Sequence, residues 1–203
     1  TYFNNFYIFT GGEKVPNSFC EIRNRAKSIY EQAKTAIRQL QTARAEVQQA
    51  QANLNAAYYA VQSAQIQLSN ARSSKDDDGS AAASAQAALN SAQAQYMAAQ
   101  AEFSSATQRV NSIMMFLNQC IQGQQECIEN ATAGQQNLKT LQAKLDVYSS
   151  NRYMNTAQGD NLKKQTQNEI VLFGKLISTC RQCISYIQNA MNTGEERERE
   201  RER

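Results

Sequence analysis

The residues of this chain best equipped for chemistry are its five cysteines, Cys20, Cys120, Cys127, Cys180 and Cys183. Histidine and tryptophan are absent, which removes the commonest general base and the commonest nitrogen ligand for a metal. The carboxylates are sparse, gathering in Asp76-Asp77-Asp78 and in the C-terminal Glu-Arg run. This inventory predicts a protein that is not an enzyme and carries no cofactor. Three uses of the thiols compete. Disulfides are the ordinary fate of cysteine in a secreted chain with a small core. A thiolate metal site is the second, because Cys180-x-x-Cys183 places two sulfurs on one helical face. Plain buried thiols in a reducing compartment are the third.

Which use prevails depends on the elements that bring the cysteines together, and these are written in the apolar spacing. From Ile22 the sequence runs Ala26, Ile29, Ala33, Ala36, Leu40, Ala43, Val47, Ala50, Leu54, Ala57, Val61, Ala64, Leu68, Ala71, with steps alternating four and three. That period is the signature of a left-handed coiled coil. From Ala36 the positions also split by size, with Ala every seventh residue and Leu or Val between. An Ala row predicts close approach of a second helix. The period restarts at Ala85 and continues through Leu89, Ala92, Tyr96 and Ala99 to Leu145 and Tyr148, across Gly123 and Gly134. One helix of some seventy residues is expected there.

A polar turn at 74–80 and a second at 149–159 divide three helices, the last starting with Asp160 as cap and ending at Gly194. The fold class is therefore all-α: a long antiparallel coiled-coil hairpin, Ala-rich and close-packed, extended to a three-helix bundle at one end. Residues 1–17 form an aromatic N-terminal arm, 18–194 the helical rod, and 195–203 a Glu-Arg charged tail. A Ser18-Phe19-Cys20-Glu21 capping box opens the first helix.

Folding about the two turns sets Ala64 opposite Ala92, Ile29 opposite Cys127, Ile22 opposite Gly134 and Cys127 beside Cys183. The sequence accordingly predicts two bridges, Cys127–Cys183 and Cys20–Cys180, with Cys120 left as an unpaired thiol near Ala36. Four cysteines alone allow three connectivities. Asn130-Ala-Thr132 is a single glycosylation sequon on the same section. The chain begins at Thr1 without Met, as a processed or trimmed N-terminus would, and shows no signal peptide.

Net charge is +3 over 203 residues and 41% of residues are apolar. That charge argues neither for nor against an acidic partner; no nucleic-acid partner is expected, and with no run of about 20 apolar residues no transmembrane segment is expected. A second apolar row on the first helix, Ile37, Ala45, Ala52, Tyr59 and Ile66, points off the seam, with Ala87, Ala94, Met97 and Ala101 similar on the second. These rows predict a homo-oligomer in which hairpins pair.

The Ala- and Gln-rich stretch Ala43-Arg44-Ala45-Glu46-Val47-Gln48-Gln49-Ala50 and onward resembles the helical hairpins of bacterial periplasmic adaptor (membrane-fusion) proteins. The resemblance covers roughly residues 36–110 and implies a hairpin that packs on other helices. That family also carries lipoyl and β-barrel segments, where this chain has a third helix and cysteines. The expected function is a secreted, self-assembling structural protein of a fibre, matrix, foam or secretory granule. The alternatives are a helical interaction module, such as an export adaptor or toxin subunit, or a binder of a small apolar ligand lined by Met114, Phe116, Leu117, Phe173 and Ile177.

Overall fold

A computed structural model of the chain describes residues 17–73, 79–150 and 156–201. Residues 1–16 of the aromatic arm and residues 202–203 of the tail lie outside the described residues. Those that are described form three α-helices: α1, Asn17–Ser73 (57 residues); α2, Ser80–Ser150 (71 residues); and α3, Thr156–Arg201 (46 residues). No strand occurs among them. Gly79 precedes α2 with φ of +90°, a backbone conformation that glycine adopts without a Cβ penalty. Its carbonyl accepts from the Ala83 N–H at 3.0 Å, the first turn of α2.

Three boundaries differ from the sequence expectation, the first being that Ser18, expected as the N-cap, lies inside α1, which begins at Asn17. Asp160 lies inside α3 and is not its cap, because the helix begins at Thr156. Gly194 does not end it; the backbone stays helical to Arg201. A lone Gly costs a helix only about 1 kcal/mol, and Glu and Arg beyond it are good helix formers, so nothing in that stretch forces a stop.

The chain divides into two compact units, residues 38–115 and the combination of 1–37 with 116–203. The hairpin unit, 38–115, holds parts of α1 and α2 that run antiparallel. Arg72 bonds Gln86 at 3.1 Å, Ala64 and Leu68 pack with Leu89 and Ala92, and the Arg109–Glu46 ion pair lies farther along. Ala43, Ala50, Ala99 and Ala106 are buried, and every seam position read on α1 is at least half-buried.

The bundle unit is built from all three helices. Arg25 pairs with Glu126, and Gln142 Nε2 donates to Gln167 Oε1 at 2.7 Å. Phe19 meets Phe173 edge-on at 5.3 Å and Tyr30 meets Tyr186 at 6.2 Å. These contacts make α1 and α3 parallel to each other and both antiparallel to α2. The core is of ordinary size here: Phe19, Leu40's neighbour Ile37, Leu117, Phe173, Leu176 and Ile187 are all buried. Within this unit the pairing sits about one turn from the expected register. Ile29 packs on Gly123, where a Cβ would stand 2.8 Å from Ile29 Cδ1, and the Phe173 ring packs on Gly134. Glycine is what admits both side chains.

One described helix has the length and composition, and these alone, of a membrane-crossing segment. The stretch Ala157–Thr193 of α3 reaches a mean hydropathy of 1.2 over 18 residues, long and apolar enough by composition. Its apolarity comes from a wide buried face, Ile170, Leu172, Phe173, Leu176, Ile177, Cys180, Cys183 and Ile187, as fits a helix touching two partners.

Candidate functional site

All five cysteines lie in the bundle unit. Cys120, Cys127, Cys180 and Cys183 are all buried, while Cys20 is half-buried. Burial pushes the Cys180 and Cys183 thiols up to about 12, with neighbouring Cys127 acting on both. Cys183 is also raised by Cys120, and Cys180 by Cys183. Burial raises Cys120 and Cys127 as well. Cys120 and Cys127 are seam positions of α2, and Cys180 and Cys183 are buried on α3.

All five are free thiols, so neither Cys127–Cys183 nor Cys20–Cys180 is formed as a bridge. Cys180 is grouped with Cys127 and Cys183, and Cys120 belongs to the cluster. Among the described residues no group of three or more Cys, Asp or Glu side chains is placed to hold a metal ion. A protonated, apolar-lined thiol is a poor nucleophile.

At the centre of the cluster lies a residue that reads only as a polar interruption of the seam. Gln124 is fully buried, and its Nε2 donates to the Ala26 carbonyl at 2.9 Å and to Cys183 Sγ at 3.4 Å. Its Oε1 is buried without a hydrogen-bond partner. One side chain thereby ties all three helices of the unit. Gln135, the residue after Gly134, links α2 to α3 by donating to the Ile170 carbonyl at 3.1 Å.

The second candidate is the surface of the hairpin unit. Of the row expected to pair hairpins, Ala45, Ala52, Tyr59 and Ile66 are exposed, the last two at 67% and 62%. Ile37 is not; it is 5% exposed in the bundle core. The spacing explains the error: Ile37 stands eight residues before Ala45, whereas the others are seven apart. Ile37 instead continues the row Arg23, Tyr30, Ile37, all buried, on the flank where Tyr30 meets Tyr186. On α2, Ala87, Ala94, Met97 and Ala101 are exposed, Met97 at 69%.

Three tyrosines form a chain on this surface. Tyr59 contacts Tyr58 at 5.8 Å, and Tyr58 contacts Tyr96 of α2 at 6.3 Å. Gln62 Nε2 donates to the Tyr58 hydroxyl at 2.8 Å. Around them the surface is amides and small residues, with Gln49–Asn53, Gln51–Asn55 and Gln86–Asn90 bonded along the helices. A groove of about 450 Å³ in the same unit is lined by Arg38, Thr42, Ala43, Glu46, Arg109 and Ile113. None of the residues expected to line a small-ligand site borders it. Of those, Leu117, Phe173 and Ile177 are buried as core. Asn130 of the sequon is exposed on α2.

Comparison of the chain with family models, curated proteins and solved structures returns no match.

Proposed function

We propose that the chain is a non-enzymatic, self-assembling helical structural protein. The observation that carries this reading is the combination of exposed Tyr58, Tyr59, Ile66 and Met97 with an almost uncharged surface. From Val47 to Ala71 no residue is charged, and from Gly79 to Gln108 only Glu102 is. A surface free of charge has little to keep it apart from others like it, and exposed apolar patches mark association sites. The absence of histidine and the raised thiols add support for a non-catalytic role.

A secreted, disulfide-stapled form would bridge thiols that are free in this structure, and the grouping of Cys127, Cys180 and Cys183 on two helices supports it. Peptide mapping of protein from its native source under non-reducing conditions tests it: five free thiols would remove secretion into an oxidising compartment. Electron microscopy of the purified chain tests assembly itself. Filaments, lattices or regular particles are expected. Discrete rings or membrane-inserted particles would favour the interaction-module alternative, and separate monomers at high concentration would end the structural reading.

A further inference from the structure

Resting on the self-assembly reading, we infer that the occupant of the Tyr58–Tyr59–Tyr96–Met97 patch is a second copy of this chain, paired about a two-fold axis through the hairpin unit.

The seven-residue period says which flank is open. Arg23, Tyr30 and Ile37 hold one heptad position of α1, and in the bundle unit all three are buried, Tyr30 against α3. Continuing that position by sevens gives Arg44, Gln51, Tyr58 and Gln65. In the hairpin unit Tyr58 at this position is 49% exposed, with Gln51 and Gln65 exposed beside it. The flank that a helix covers in the bundle unit therefore carries large side chains in the hairpin unit as well, with no third helix there among the described residues. Tyr96 and Met97 present the matching positions on α2. The opposite flank is unlike it: Ala56, Ala60, Ser63, Ala88, Ser91 and Ala98 are small and exposed.

Charge selects the partner. A nucleic acid or an anionic membrane needs cations, and 47–71 has none. A charged protein surface would bury its charges here unpaired, at a cost of several kcal/mol each. A second copy of this flank brings only aromatic rings, a thioether and amides, which bury without an unpaired charge. Area suffices too. Roughly 25 residues at 1.5 Å each give about 37 Å of hairpin, and two helices side by side span about 20 Å. One face therefore offers on the order of 750 Å², close to the ~800 Å² per partner of a standard stable interface. Closed two-fold pairing is the commonest way for identical patches to meet.

The test is sedimentation velocity of the full chain at micromolar concentration. The wild type is expected to sediment with twice the monomer mass or a multiple of it. Tyr59→Glu with Ile66→Glu is expected to halve the mass of the basic unit, with helical circular dichroism unchanged because both side chains are exposed. Ser63→Glu, on the opposite flank, is expected to leave it as it is. If the double variant assembles like the parent, or Ser63→Glu dissociates it, the patch is not the interface, while self-assembly stands. A monomeric wild type overturns both, and one retarded by a neutral polysaccharide in an affinity gel would assign the tyrosines to that ligand instead.

Discussion

At the scale of single residues, the thiol cluster makes the clearest claim. Cys180 and Cys183 titrate near 12 because burial disfavours their thiolates, against an ordinary value of 9.0. Below pH about 9 both the folded and unfolded chains hold these protons, so the pair contributes nothing to pH dependence. As pH rises further, the unfolded chain releases them first and the folded chain retains them until about 12. Stability is therefore full below about 9 and falls through the interval up to 12, by at most ~1.4 kcal/mol per pH unit for each thiol. Denaturant melts between pH 8 and 11 are expected to show this decline, and a Cys180→Ala/Cys183→Ala variant to show a shallower one. In the native protein at pH 8, a thiol reagent is expected to modify half-buried Cys20 first and the other four only on unfolding. Rapid modification of all five would contradict the burial described. Heptad positions put Cys127, Cys180 and Cys183 in one zone but set Cys120 apart from the expected pairs, whereas Cys120 lies close enough to Cys183 to raise it. Gln124 was not legible: a Gln in a seam reads as a flaw, and only its bonds to Ala26 and Cys183 show it as a tie between helices.

At the scale of elements, the long α2 survives two glycines for a reason the sequence does not state. Each costs about 1 kcal/mol in helix propensity, so replacement by Ala is favourable wherever room exists. Gly123 faces the far end of Ile29, whose Cδ1 can rotate away. A Cβ at Gly134 would stand 2.9 Å from the edge of the Phe173 ring, and that ring is buried and held by Phe19. Gly123→Ala is expected to leave stability within about 1 kcal/mol of the parent, while Gly134→Ala costs about 1–3 kcal/mol by overpacking. Thermal or urea unfolding of the two variants decides it; equal effects would mean Phe173 does not sit where described. The four-three alternation was enough to place all three helices, because each helix buries a stripe and the stripe must repeat at the helical period. It was not enough to set the register inside the bundle unit. Ile29 and Phe173 found glycine, and heptad spacing carries no record of side-chain volume on the facing helix. Ile37 was misread for a related reason, since a third helix turns an outward flank into core.

At the scale of the whole molecule, the two units differ in what holds each together. The bundle unit buries Phe19, Leu117, Phe173, Leu176 and Ile187, and each large side chain contributes roughly 1.5–3 kcal/mol on burial. The hairpin unit buries mainly Ala, whose one methyl removes far less apolar area from water, and leaves Leu54 and Val61 only half-buried. Opening free energy in a folded protein follows such local differences in buried contacts. The amides of 47–71 and 80–108 are therefore expected to exchange with solvent faster than those of 117–131 and 170–187. Pairing through Tyr59 and Ile66 would add protection to the hairpin unit alone, and mass action makes that increment depend on concentration. Hydrogen exchange of the full chain at about 0.2 µM and about 50 µM separates the two contributions. Protection of the hairpin amides is expected to rise with concentration while that of the bundle amides stays level. Tyr59→Glu with Ile66→Glu is expected to hold the hairpin at its dilute value throughout. Hairpin protection that ignores concentration in the wild type would mean that the Ala seam stabilises this unit unaided, and the exposed tyrosines would then need another partner.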